Sequence, residues 1–132
     1  MRILMIGIAL IATPAAAAEQ FDLDCEGQKT EEVGANPVDE IVKLSVDLKS
    51  MQYCYRPCQK VLPVDQVFAD RIILRSYTHS DRGVLISFHA QIDRKTGEYS
   101  YVVERKLPSF KKSVTLAMCQ AAPFSGFPET KF

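Results

Sequence analysis

"GVLISFHAQIDRKTGEYSYVVERK", residues Gly83 to Lys106, is the stretch from which the fold is read. In its first arm Val84, Ile86, Phe88, Ala90 and Ile92 fall on one side of an extended chain, and Leu85, Ser87, His89, Gln91 and Asp93 on the other. A period of two is the mark of a half-buried strand. "DRKTGE" then interrupts the pattern, with Gly97 free to take the left-handed conformation that closes a loop built on a type I turn. Two registers compete for the hairpin. A four-residue loop, Arg94 to Gly97, sets Ile92 opposite Tyr99, Ala90 opposite Tyr101 and Phe88 opposite Val103. A three-residue loop with a bulge sets Ser100 opposite Ile92 and Glu104 opposite Phe88. Burial favours the first, because a slip of one residue turns Glu104 into the core.

Working outward, the alternation repeats. In "IVKLSVDL", Val42, Leu44, Val46 and Leu48 point one way, and Lys43, Ser45 and Asp47 point the other, toward solvent. Lys49-Ser50 reads as a turn into the short "MQYCY", and "RIILRSY" (Arg71 to Tyr77) as a further strand. "THSDRG" reads as a polar turn ending at Gly83, "KLPSFKKS" as a loop, and "VTLAMC" as a last strand delivering Cys119. One helical turn is expected around Pro63 to Ala69. The Phe residues of "APFSGFPETKF" are expected to cover an open end of the sheet. The sum is an all-β antiparallel meander of six to eight short strands, closing as a small barrel or as a two-sheet sandwich.

The first eighteen residues read as an address. Arg2, the apolar run Ile3 to Ala12, the break at Thr13-Pro14 and the small residues Ala15 to Ala18 are the ordered parts of a secretory signal peptide, cut between Ala18 and Glu19. The run is shorter than the ~20 apolar residues a spanning helix needs. Residues 19–132 then form a single β-rich domain, large enough for one core, with no membrane insertion after cleavage. Cys25 lies too far beyond the cut to be a lipid anchor.

Four cysteines remain, Cys25, Cys54, Cys58 and Cys119, an even count that reads as two disulfides in a periplasmic or secreted protein. The tight C-x-x-x-C favours Cys54–Cys58, which leaves Cys25–Cys119 to tie the first strand to the last; two other pairings are possible. Structural zinc needs a second cysteine knuckle that is absent here. A redox pair activated by Arg56 would need a βαβ context, and none is visible.

Charge is balanced, 16 basic against 16 acidic residues, which suggests no nucleic-acid partner. The distribution is uneven. Glu19 to Glu40 carries eight acids against Lys29 alone, and the segment reads as a solvated opening strand and loop beside more basic strands. Arg105, Lys106, Lys111 and Lys112 gather in "RKLPSFKKS", a contact for an anionic envelope component if they are more than a solvated loop.

Chemistry is harder to find. His79, Ser80 and Asp81 are consecutive, so their side chains diverge where a triad must converge, and no G-x-S-x-G elbow exists. His89 sits opposite the apolar face of its strand. Asp47, Asp93, Glu98 and Glu104 are carboxylates without a spacing that selects a glycosidase-like pair. No catalytic, cofactor-binding or metal residue is selected, and the chain is expected not to be an enzyme. The aromatics, including Tyr53, Tyr55, Tyr77, Tyr99 and Tyr101, serve as core packing or line a ligand pocket.

"FDLDCEG" near the cleavage site, "IDRKTGEY" in the middle and Cys119 followed by "PFSGFP" together resemble a group of small exported, cysteine-containing β-rich proteins of Gram-negative bacteria. That group carries no assigned activity, so the resemblance implies a fold and a compartment but no functional residue. Cys25-Glu26-Gly27 is also similar to the early "C-x-G" strand of periplasmic lysozyme inhibitors, which implies a disulfide-bearing barrel. The inhibitors' Ser/Gly-rich contact loop has its nearest match in "PFSGFP", at the other end of the chain. The function expected is a non-catalytic domain binding a protein or envelope component. The alternatives are a carrier of a small apolar ligand in a barrel mouth, or an inhibitor of a cell-wall hydrolase.

Overall fold

A computed structural model describes residues 19–31 and 35–128; the signal-peptide reading of residues 1–18 lies outside them. The long hairpin comes first because its register is local. Strands β7 (Val84–Asp93) and β8 (Glu98–Leu107) pair antiparallel with Ile92 opposite Tyr99, Ala90 opposite Tyr101 and Phe88 opposite Val103. The four-residue loop is the one formed. Gly97 takes φ +76°, and the Asp93 carboxylate accepts hydrogen bonds from the backbone N–H groups of Lys95 and Thr96.

Around that hairpin lie β6 (Arg71–Asp81) on one side and β9 (Lys111–Ala122) on the other, followed by β1 (Gln20–Thr30) and β2 (Val38–Asp47). The short strands β3 (Gln52–Tyr55), β4 (Val61–Pro63) and β5 (Gln66–Val67) complete a single nine-stranded antiparallel sheet, ordered β4-β3-β2-β1-β9-β8-β7-β6-β5. The two outermost strands are consecutive in the chain, separated by Val64-Asp65 alone. That link spans at most about 11 Å from Pro63 to Gln66, so the sheet has to curl until its edges nearly meet. It does so as a half-barrel. Val64 N–H donates to Met51 O beside one edge, and Asp65 N–H donates to Ile73 O at the other.

Curling gives the sheet an inside. Leu23, Val42, Leu44, Val46, Tyr53, Ile72, Ile92 and Tyr99 form the core there, and Tyr53 and Tyr99 are almost wholly buried. Gly27 marks the tightest approach between β1 and β9: a Cβ at this position would lie 1.9 Å from Leu116 O, so no side chain fits. Cys25 and Cys119 face each other in register across the same two strands and are disulfide-bonded; Cys54 and Cys58 form the second bridge.

Several expectations are corrected. One curled sheet forms, not a two-sheet sandwich, and it has more strands than the six to eight expected: the Pro63–Ala69 region is not helical but supplies β5 and the last residue of β4, which sit at the sheet edges. His79, Ser80 and Asp81 belong to β6, and the turn is only Arg82-Gly83, both at positive φ, the two-residue geometry that matches strand twist. Most of "KLPSFKKS" is also strand: β8 runs to Leu107 and β9 begins at Lys111. No helix among the described residues is long and apolar enough to cross a membrane.

The C-terminal tail adds a contact that the strand pattern does not announce. Through Ser125 it folds back over the outer face of β1 and β2. Ser125 N–H donates to the Asp22 carboxylate at 3.2 Å, and the Ser125 and Ser45 hydroxyls lie 3.4 Å apart. Ser45, placed by its strand on the solvent side, is therefore completely buried. Asp22 is buried as well, although the acidic opening segment reads as solvated. Arg56 lies across this outer face, donating to Leu23 O at 3.0 Å and to Asp24, with its guanidinium 3.7 Å from Asp22.

Candidate functional site

Strand lengths leave the half-barrel uneven. β3 pairs with β2 only from Leu44 to Asp47, and β5 pairs with β6 only at Ile72 and Ile73. Beyond those points the inner face is open. The hairpin register places Tyr99 and Tyr101 on that face, level with Ile92 and Ala90, while β3 contributes Tyr53 and Tyr55 from across the opening.

The sixth strand completes the arrangement through an irregularity. Its register with β7 passes from Ile73–Gln91 to Arg75–Ala90, so Leu74 is an extra residue, a β-bulge. Without it Arg75 would stand opposite His89 and point outward. With it Arg75, Tyr77 and His79 share the side of Ala90, Phe88 and Ile86. Arg75 lies over the Tyr77 ring, 4.4 Å from its centroid, and Tyr77 stacks on Phe88 at 4.8 Å with the planes 15° apart.

The result is a cleft of about 310 Å³ lined by Tyr53, Tyr55, Tyr99, Tyr101 and Arg75, with Ala90 and Thr115 among the smaller groups of its wall. Tyr55 and Tyr99 share a hydroxyl–hydroxyl hydrogen bond of 2.9 Å, and Tyr53 meets Tyr55 edge-on at 5.8 Å. Burial pushes the Tyr53 phenol up to about 12 and raises those of Tyr55, Tyr99 and Tyr101 as well. The nearby Arg75 charge pulls Tyr53, Tyr55 and Tyr101 the other way without overcoming burial. All four are neutral O–H groups near neutral pH, able to donate and accept hydrogen bonds, and Tyr55 and Tyr101 also offer exposed ring surface.

The other candidate residues lie apart. His89 is on the outer face, its Nδ1 3.2 Å from Ser76 Oγ and its Nε2 2.9 Å from Gln91 Oε1, while His79 is on the inner face near the far end of β6. Ser80 and Asp81 follow on alternate sides of the same exposed strand end. Asp47 and Asp93 are committed to turns, each accepting from two backbone N–H groups. Glu104 pairs across the sheet with Ser87 and Lys112, on the outer face. Arg105 is bonded to Ser109 through its backbone O and its hydroxyl, so part of the basic cluster holds its own loop. No three His, Cys, Asp or Glu among the described residues are grouped as metal ligands.

The tyrosines were legible as pocket candidates. Arg75 was not, because nothing in "RIILRSY" announces the bulge that turns it inward. Compared with known proteins, the chain matches no family model, no curated protein and no solved structure.

Proposed function

We propose that this protein is a non-catalytic binding domain of an extracytoplasmic compartment whose ligand sits in the tyrosine-lined cleft. The observation that carries the reading is the open inner face above the core, where four tyrosines and an arginine converge on about 310 Å³. Folding a tyrosine ring onto the core is ordinary. Tyr53 and Tyr99 do this beneath the cleft, whereas Tyr55 and Tyr101 keep exposed surface above them, flat apolar faces with polar tips, the composition of a small-ligand site. The raised phenols favour recognition over catalysis, since they resist the ionisation a nucleophile or base requires.

Two disulfides fit an oxidising compartment. Together with the signal-like residues 1–18 and the resemblance to small exported proteins, they support the periplasm of a Gram-negative cell as its place.

The chain has five tyrosines and no tryptophan, so its intrinsic fluorescence reports largely on this cleft. Titration of the oxidised protein with a panel of phenols, saccharides and lipid fragments is expected to change tyrosine emission and raise the melting temperature for at least one class. A ligand at about a hundred times its dissociation constant adds roughly 2.7 kcal/mol of stability. If every compound leaves both signals flat, the cleft is not a binding site.

A further inference from the structure

The cleft reading leaves open what kind of ligand the site selects, and Arg75 bears on that. Of the five other arginines in the described region, four have occupied side chains. Arg56 is held by Asp22 and Asp24, Arg71 by Asp70, Arg94 by Phe68 O, and Arg105 by Ser109; Arg82 stands in the β6–β7 turn, away from the cleft. Arg75 has neither an ion pair nor a side-chain hydrogen bond among the described residues. It is held instead by one face, over Tyr77.

Stacking occupies the face of a guanidinium and leaves its in-plane N–H fork to donate, the geometry that matches a carboxylate or phosphate. The residue directly opposite on β7 is Ala90, whose methyl group leaves room beside the fork. Glu40 is the cleft's one acid among the described residues, and Arg75 its one cation turned to the inner face, since Lys43 shares the outer side of β2 with Ser45 and Arg56 lies across the outer face.

We propose that the ligand carries an oxyanion, a carboxylate or phosphate, bound by Arg75, with an apolar or ring-bearing body lying against Tyr55 and Tyr101. The proposal rests on the cleft being a binding site. The phenol O–H groups add neutral donors around the anion. A soluble ester and a lipid headgroup present the same chemistry.

The test uses the oxidised protein and a matched pair of probes, phenyl phosphate and phenol, followed by tyrosine emission. At ionic strength of about 20 mM, phenyl phosphate is expected to bind at least about tenfold more tightly than phenol. That preference should shrink at about 500 mM salt, where the Debye length falls to a few ångströms. Arg75→Gln should bring the two probes to near equality, read as the ratio of their affinities within the same variant, and Arg75→Lys should keep only part of the preference. Vesicles of phosphatidylglycerol form a parallel arm: Arg75-dependent binding to vesicles identifies a lipid source, and Arg75-dependent binding to phenyl phosphate alone a soluble one. Equal binding of phenol and phenyl phosphate, or an unchanged ratio in Arg75→Gln, overturns the oxyanion and leaves the cleft standing. Silence toward both probes and the vesicles overturns both readings.

Discussion

Asp22 shows how a single residue is governed by what folds over it. Burial pushes its carboxyl up, but hydrogen bonds from Ser125 and Ser45 and the charge of Arg56 outweigh that and hold it below the usual aspartate value. A depressed carboxyl stabilises the fold above its unfolded pKa of about 4, and the contribution is lost as pH falls from there through the folded value. Asp22→Asn is therefore expected to cost about 1–3 kcal/mol at neutral pH. The deficit should shrink below about pH 4, where the wild type loses the same contribution. Urea unfolding of both proteins from pH 7 to pH 2 checks this, and parallel curves would mean the charge does not matter. None of this is visible in "FDLDCEG", where Asp22 looks like one acid among eight. Its burial is set by Ser125, a hundred and three residues away.

At the scale of strands, what was legible is what is local. The β7–β8 register follows from a turn and the alternation beside it, so nearest neighbours are enough to specify it. The β6 bulge obeys no such rule: Ile72, Ile73 and Leu74 are all acceptable strand residues, and which of them is extra depends on fitting the curled sheet. The disulfides divide in the same way. Cys54–Cys58 closes a loop of sequence separation 4, whereas Cys25–Cys119 joins first and last long strands across a separation of 94. In the chain-entropy picture these are worth about 2 and about 4–5 kcal/mol. The Cys25→Ala/Cys119→Ala double variant is thus expected to lose at least twice the stability lost by Cys54→Ala/Cys58→Ala in urea melts. The reverse order would show that the long bridge does little to restrain the unfolded chain.

For the whole molecule, the tyrosine cleft makes stability depend on alkaline pH. Burial raises Tyr53 to about 12 and lifts Tyr55, Tyr99 and Tyr101 above their ordinary value. Groups raised on folding stabilise fully below the unfolded phenol pKa of about 10, and that stability drains away as pH rises through the folded values. Absorbance at the phenolate band is expected to rise later in the folded protein than in urea, with the melting temperature dropping above about pH 10. Coincident titration curves would place these rings in solvent and remove the cleft.

Residues alone settled the all-β character, the long hairpin and its register, because side-chain alternation and turn chemistry act over a few neighbours. Tertiary structure decided three things: that one sheet curls until β4 and β5 sit at opposite edges, that the tail buries Ser45 and Asp22, and that a bulge turns Arg75 into the cleft. Each depends on contacts between segments distant in sequence, whose energies appear only once the sheet has closed around its core.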